Sequence, residues 1–472
     1  MGSEMCIRDR LKISQQKKDV LEVKQATYNV PAEGMSIQIE FATNLQEGIS
    51  KIRYSQDVQD WLIFNDNVST KILLDKTLNV KVLPNPSRAE RTATFQIVIE
   101  DAAGKQLIES GTISIIQKGA GVGTSTDLET DDGKVVKLQT HSKGNGIPVV
   151  FMGDGFLDAD IQSGFYRKVM EKGMEYFFSE EPVKSLREYF DVWMVTAVSL
   201  NDAFGEGYST KFSCWLEGGK STLIKGDEKI VQYYTQAVDE IRTNAEMFYE
   251  TMSIVILNTE TYAGTTYFGY GTEDDGVVEY AIGYWPIIGG MENEAFRQVL
   301  CHECIGHGFA KLLDEYSYQS MGQIPAKEIE SNQILQTFGW AMNVDFTGDK
   351  SQVIWKHFLE DERYAGTDAF GETLSTYEGA CTYWSGAWRP TNESMMRNNI
   401  HGFNAPSREA IYKRIMRTAY GTPWQYNYEE FVKFDRMHLP QPTRVTTRNV
   451  EQIGKGRHFA PPQFVKRTLV NR

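Results

Sequence analysis

The feature that most restricts the fold is a change of pattern at the run of small residues Gly119–Asp127. Before this run, short segments alternate apolar and polar residues, as half-buried β-strands do. After it, short apolar segments alternate with longer stretches of helical periodicity, which predicts a mixed α/β region. A chain of 472 residues also exceeds what one ordinary hydrophobic core holds. The sequence therefore predicts a multidomain protein that divides near this run.

Composition and charge exclude several classes of protein. Hydrophobic residues make up 41% of the chain and charged residues 24%, which excludes a mostly disordered or collagen-like protein. The formal net charge is −14, and we expect no nucleic-acid partner because phosphate backbones would be repelled. The longest apolar-rich stretch, around residues 280–291, is too short for a membrane-spanning helix. We therefore expect no transmembrane segment.

Residues 18–119 predict an antiparallel β-sandwich, because short strands follow one another with turn-prone residues between them. Trp61 is expected in its core. Residues 1–10 do not continue the pattern, and we interpret them as a tag or an assembly artefact. The clearest strand candidates are Leu21–Val23, Ile37–Phe41, Asn79–Val82, Thr94–Ile99 and Thr112–Ile115.

The second part of the chain predicts an α/β or α+β domain over residues 136–428. Residues 120–135 are interpreted as a linker, and residues 429–472 as a tail that packs on this domain. Asp154 follows a buried strand and is expected to cap the next helix or turn. The predicted elements are strands at Pro148–Met152, Val192–Val198 and Ser253–Leu257, and helices at Asp158–Phe178, Lys229–Met247 and Arg408–Thr418.

The segment around His302 carries the residues of a metal site. Two histidines on a helix beside a glutamate are typical of zinc peptidases, but the usual spacing is four and His307 is five residues away. On an α-helix a spacing of five leaves side chains about 140° apart, so two ligands cannot share one ion. We therefore predict a π-type turn between them, helped by the backbone freedom of Gly306. Gly308 is expected to end the helix.

A catalytic zinc ion takes three protein ligands, so one more is needed. Asp314 is the preferred third ligand and Glu315 the alternative, because both follow directly after the helix. Glu303 would be the general base. Cys301 and Cys304 are expected to pack into the helix's buried face. More distant candidates for the third ligand are Glu360, Asp361, Glu362 and Glu378.

Several separated segments carry the motifs of one known family in the same order. They are Val149–Phe156, Gly306–Tyr316, Tyr377–Ala380, Trp388–Arg397 and Phe403–Ile411. Together they resemble the IgA-peptidase family of bacterial zinc metallopeptidases, over residues 147–417. The commoner form of that family has its histidines four apart. More weakly, the order of turn and strand motifs in residues 30–119 resembles the BACON-type Ig-like domains that precede bacterial extracellular enzymes.

The resemblance implies a zincin- or metzincin-like fold with one catalytic zinc ion and a methionine turn. Met396, or its neighbour Met395, would form the hydrophobic floor beneath the ligands. Tyr383, Arg389 and Arg397 are candidates for stabilising the oxyanion or contacting substrate.

The function that follows is a secreted zinc-dependent endopeptidase, located outside the cell, on its surface or in the periplasm. Its substrate would be a protein or peptide, and the N-terminal sandwich would bind a glycan or a protein or act as a spacer. One alternative is an exopeptidase with a His-Glu-x-x-Gly-His motif, like some dipeptidyl peptidases. The other is a non-catalytic binding protein on a degenerate peptidase fold.

Overall fold

The computed structural model describes residues 18–45, 51–54, 61–65, 74–85, 90–216, 222–273, 276–442 and 463–466. It divides into two compact units between Val122 and Gly123. The predicted artefact at residues 1–10 lies outside the described residues, as does most of the tail beyond residue 442. Among the described helices, none has both the length and the apolar composition needed to cross a bilayer.

The first unit is built from β-strands, as the alternating pattern predicts. Its described strands are β1 (Leu21–Val23), β2 (Thr27–Val30), β3 (Met35–Thr43), β4 (Lys51–Tyr54), β5 (Leu62–Asn65), β6 (Leu74–Val82), β7 (Arg91–Glu100), β8 (Gln106–Glu109) and β9 (Ile113–Gln117). One sheet has the order β1-β3-β6-β5 and the other β2-β9-β7-β4, with β8 paired to β7. The pairs are antiparallel except β2 with β9, which run parallel.

Alternate residues of both sheets fill one core, so each sheet has one buried and one exposed face. Ile39 and Phe41 of β3 meet Phe95 and Ile97 of β7 in this core. Trp61 is buried there as predicted, with the Arg91 guanidinium 4.2 Å from its ring centroid.

The second unit is mixed α/β. Its described strands are β10 (Val135–Gln139), β11 (Ile147–Asp154), β12 (Phe190–Val195), β13 (Trp215–Leu216), β14 (Ile224–Lys225), β15 (Met252–Leu257), β16 (Thr265–Glu273), β17 (Gly276–Pro286), β18 (Ser317–Gln323), β19 (Tyr377–Ala380), β20 (Thr382–Arg389) and β21 (Gln463–Lys466). The main sheet has the order β10-β12-β11-β15-β17-β16-β21, and β18-β20-β19 form a separate one. Strands β12, β11, β15 and β17 are parallel to one another, whereas β16 is antiparallel to β17.

Helices cover both faces of the parallel strands, which explains why β12 and β15 are buried at every position. The helices are α1 (Asp158–Gln162), α2 (Phe165–Phe177), α3 (Glu228–Thr235), α4 (Asp239–Arg242), α5 (Ala245–Glu250), α6 (Glu294–Leu300), a π-helix (Cys301–Phe309), α7 (Ala326–Thr337), α8 (Lys356–Leu359), α9 (Met395–Asn398), α10 (Ala405–Tyr420) and α11 (Tyr428–Met437). One face packs on α2, α6, the π-helix and α10, and the other on α3 to α5.

Three predicted elements differ from the structure. The helix expected over Asp158–Phe178 breaks at Gly164, whose φ of +78° precedes α2. The helix expected over Lys229–Met247 is divided among α3, α4 and α5. Part of the predicted linker is held in the second unit, because the Asp158 carboxylate accepts hydrogen bonds from the Thr126 amide and hydroxyl.

Asp154 does not cap the next helix. Its buried carboxylate accepts hydrogen bonds from the Thr210 hydroxyl at 2.8 Å, the Phe212 amide at 2.9 Å and the Cys214 amide at 3.1 Å. A buried carboxylate needs several donors, and this loop supplies them. Asp154 therefore fastens residues 210–214 to the end of β11.

Candidate metal centre

The predicted π-turn is present. Helix α6 continues without a break into the π-helix Cys301–Phe309, and the Ala310 amide donates to the Ile305 carbonyl, five residues back, at 2.9 Å. This i→i+5 pattern adds one residue to the turn and turns His302 and His307 toward each other. Their Nε2 atoms lie 3.0 Å apart.

Gly306 is required for a different reason from the one predicted. Its backbone is not in the left-handed region, but a Cβ there would overlap the Met396 sulfur and lie 2.8 Å from the Met396 Cε. Gly308 does not end the helix either, because it lies inside the π-helix, where a Cβ would be 2.5 Å from the Met252 sulfur. Both glycines allow a methionine to pack directly on the helix backbone.

Gly306→Ala is therefore expected to lower the free energy of unfolding by about 1–3 kcal/mol through overpacking. Denaturant unfolding of the zinc-loaded protein measures this. The double variant Gly306→Ala/Met396→Ala should cost less than the sum of the single variants, because removing the thioether removes the overlap. Simple additivity would show that Met396 is not the cause.

Both imidazoles are oriented by backbone carbonyls. His302 Nδ1 donates to the Met395 carbonyl at 2.8 Å, and His307 Nδ1 donates to the Leu312 carbonyl at 2.7 Å. A carbonyl only accepts, so the proton of each neutral ring is on Nδ1 and the lone pair on Nε2. Fixing the tautomer in this way is what metal-ligating histidines require.

Asp314 completes the group. Its Oδ1 lies 3.2 Å from the Nε2 of both His302 and His307. Three acceptor atoms that converge in a buried space repel one another unless a cation lies between them. Two imidazole nitrogens and one carboxylate oxygen are also a typical donor set of catalytic zinc, with a fourth position left open. The residues therefore fit a metal ion, and within the described part of the chain they form the one group with ligand spacing.

The electrostatics of the group favour positive charge. Burial by itself would raise the pKa of Asp314, but the imidazoles of His307 and His302 outweigh it and lower that pKa to about 2. Burial would lower the pKa of His307, yet the Asp314 carboxylate reverses this and raises it. A carboxylate that stays ionised next to neutral nitrogens suits a divalent cation.

Glu303 lies on the π-helix beside His302 and is buried. The Thr266 hydroxyl, from β16, lies 2.9 Å from Glu303 Oε2. Burial raises the pKa of Glu303, and the imidazoles of His307 and His302 only partly offset this. A raised pKa lies closer to neutral pH. A carboxyl group with such a pKa can both accept and donate a proton efficiently under these conditions.

Glu315, the alternative third ligand, has other partners. Its carboxylate accepts hydrogen bonds from Asn343 at 2.9 Å, Ser394 at 2.6 Å and Asn404 at 2.9 and 3.0 Å. It therefore connects separate segments of the chain and does not join the metal-binding group. The more distant candidates Glu360, Asp361, Glu362 and Glu378 are also outside that group.

The predicted oxyanion donors have structural contacts. Arg389 is buried and donates to the carbonyls of Glu378 at 2.8 Å and Gly379 at 2.6 Å. Arg397 donates to the Glu393 carboxylate at 2.7 Å. Tyr383 is half-buried on β20. A role of these three in catalysis stays a prediction.

Several residues near the site were not predicted. They include the carbonyl groups of Met395 and Leu312, the hydroxyl of Thr266, and two buried tyrosines, Tyr262 and Tyr316. Burial raises the pKa of Tyr316, and the nearby Asp314 carboxylate adds to this effect. Burial also raises the pKa of Tyr262, and Glu303 adds to it. Their sequence context is that of ordinary core residues, so only the structure shows that they lie near the site.

Lys311 follows the π-helix and is also buried, at 3% exposure. Its ammonium donates to the Gly308 carbonyl and lies 5.0 Å from the ring centroid of Phe268. Burial disfavours the charged form and lowers the pKa of Lys311 from 10.5 to about 7, with Glu250 opposing the shift weakly.

Between about pH 7 and 10.5 the unfolded chain binds a proton at this lysine that the folded chain does not, so stability rises with pH. We expect the free energy of unfolding of the parent, relative to Lys311→Met, to increase across this window by on the order of 2–4 kcal/mol. Urea unfolding at several pH values measures the difference. The exposed Lys327→Met variant is the control, and an equal slope for both variants would contradict the expectation.

Comparison with known proteins gives a family match for part of the chain. Residues 136–367 match the family model described as IgA peptidase M64, a segment that includes His302, Glu303, His307 and Asp314. The comparison with curated proteins gives no match. Met396 lies beyond the matched segment.

Three similar solved structures each cover about a quarter of the chain. The GspB Siglec domain is 16% identical with a TM-score of 0.18, and the match covers 25% of this chain and 65% of that domain. A GH5 xyloglucanase of Bacteroides ovatus is 18% identical with a TM-score of 0.15 over 27% of each chain. A PapD-like domain of human CEP192 is 8% identical with a TM-score of 0.16, covering 25% of this chain and 98% of that domain. Scores this low carry no argument, and the BACON-type resemblance stays a prediction. Residues 136–367 of this chain are thus similar to the IgA peptidase M64 family.

Proposed function

We propose that this peptidase is a zinc-dependent endopeptidase that cuts within protein chains. The observation that carries the proposal is the convergence of His302 Nε2, His307 Nε2 and Asp314 Oδ1 within 3.0–3.2 Å beside the carboxyl-bearing Glu303. Zinc in such a site would lower the pKa of a water molecule and polarise the scissile carbonyl. One catalytic ion is sufficient for this chemistry.

The side chains of the site would handle the proton. Glu303 takes a proton from the attacking water and delivers it to the leaving amine. The hydrogen bond between Thr266 and Glu303 Oε2 holds the carboxylate at β16. The carbonyls of Met395 and Leu312 keep both imidazoles in the ligating tautomer.

A hydrogen-bond donor is also needed for the oxyanion of the tetrahedral intermediate. Tyr316 and Tyr262 are the candidates that the fold supports best, because both are buried and their pKa values are raised by neighbouring site carboxylates as well as by burial. A phenol that stays protonated at neutral pH can donate throughout the reaction.

The architecture supports a zincin- or metzincin-like assignment. The ligand-bearing helix packs on the main sheet, and Met396 packs on the same helix at Gly306. A location outside the cell is part of the proposal and is supported by the family resemblance alone.

The test is to measure bound metal and cleavage of a reduced and alkylated carrier protein before and after dialysis against a chelator. We expect about one zinc ion per chain, loss of cleavage without it and recovery when zinc is returned. Internal fragments would support an endopeptidase, whereas release of dipeptides alone would favour the exopeptidase. A chain that holds no zinc and cuts nothing would contradict the proposal in favour of a binding protein.

A further inference from the structure

The outer edge of β16 is occupied by another segment of the same unit. One side of β16 pairs with β17, and the other pairs in parallel with β21. The pairs are Tyr267 with Gln463, Phe268 with Phe464, Gly269 with Val465 and Tyr270 with Lys466. An extended backbone of four residues is thus added to the sheet at this edge.

This edge begins at the candidate site. Thr266, whose hydroxyl lies 2.9 Å from Glu303 Oε2, immediately precedes Tyr267, the first residue of the pairing. A backbone that lies along Tyr267–Tyr270 therefore has one end next to the general base. Strand β16 also packs on the π-helix that carries Glu303.

Peptides that add a strand to a sheet edge are bound mainly through main-chain hydrogen bonds, so the same edge accepts many sequences. An endopeptidase must hold its substrate extended across the metal. We propose that Gln463–Lys466 acts as an internal competitor, because it occupies the outer edge of β16 along which the extended backbone of a substrate peptide would lie. This inference rests on the proposed function for the identity of the peptide.

The decisive variant is Phe464→Pro/Val465→Pro in the full chain. Alternate residues of a strand direct their amides to the same neighbour, so two consecutive prolines remove at least one amide that faces β16. Phe464→Ala/Val465→Ala is the matched control, because it shortens the same side chains and keeps both amides. Thermal unfolding of both variants checks that the second unit stays folded.

The probe is a fluorescein-labelled peptide with the sequence of residues 459–470, and its binding is measured by fluorescence polarisation. While residues 463–466 occupy the edge of β16, the probe can bind only to the fraction of molecules in which this segment has detached. The apparent affinity for the probe is reduced by that fraction. We expect the proline variant to bind the probe about tenfold more tightly than the parent or the alanine control. Equal affinity in all three proteins would overturn the inference.

Competition separates this inference from the proposed function. The reduced and alkylated carrier protein should displace the probe, and the proline variant should cleave that carrier faster by a similar factor. Displacement without cleavage in any variant would leave the edge as a peptide-binding site and reject the enzyme. Cleavage without displacement would overturn the edge as the substrate site.

A second measurement avoids the proline variant in case it unfolds. In the Glu303→Gln protein, hydrogen exchange of the amides of residues 463–466 is followed with and without excess carrier. Exchange should accelerate when the carrier takes the edge. Unchanged exchange under saturating carrier would overturn the inference.

Discussion

Replacing Glu303 with glutamine is expected to lower kcat/KM for the carrier protein by about 10²- to 10⁴-fold, with zinc still bound. The amide has the same shape as the carboxylate but cannot take a proton from water. The Thr266 hydroxyl still has an oxygen to which it can donate, so the helix should keep its position. Cleavage assays and metal analysis of the same sample give both values.

Two outcomes would contradict this role. Full activity in Glu303→Gln would assign the proton transfer to another group. Loss of zinc together with activity would show that Glu303 supports the ligands and not the reaction. Thr266→Val is a useful companion, because it keeps the Glu303 carboxylate and removes only the hydroxyl that holds it at β16, so a smaller loss of kcat is expected.

The second large effect is expected at two consecutive acidic residues. Asp314→Asn should lower zinc affinity by at least about 100-fold, because a neutral amide replaces the one anionic ligand. Glu315→Gln should keep zinc and lower the free energy of unfolding by about 1–3 kcal/mol, because an amide group would face the amide donors of Asn343 and Asn404. Competition with a zinc-sensitive dye and urea unfolding measure the two quantities.

The pair is its own control, since each variant replaces a buried carboxylate by an amide at adjacent positions. If Asp314→Asn still bound zinc and Glu315→Gln did not, then Glu315 and not Asp314 would be the third ligand. Equal effects on zinc affinity would mean that the metal depends on general stability and not on a specific ligand.

The spacing of His302 and His307 was sufficient to predict the π-helix, because ligation of one ion and a regular α-helix are geometrically incompatible at that spacing. Position after the helix made both Asp314 and Glu315 candidates for the third ligand, and the choice of Asp314 stays a prediction that their different contacts support. Asp314 lies against the imidazoles, whereas Glu315 accepts hydrogen bonds from three other side chains.

Other features could not be predicted, for physical reasons. The role of Gly306 depends on its contact with Met396, which lies ninety positions later in the chain. No local sequence pattern predicts such a contact. Every residue has a carbonyl, so the sequence cannot mark those of Met395 and Leu312 as partners of the histidines. Asp154 has the sequence context of a cap, yet its donors come from a loop more than fifty residues away.

The hydrogen bond from His302 to the Met395 carbonyl joins residues 93 positions apart in the chain. During synthesis the first histidine emerges well before the backbone group that fixes its tautomer, so a nascent or partly assembled chain lacks a competent zinc-binding pocket. Formation of the candidate centre thus requires that the segment around Met395 has been made and has folded against the π-helix.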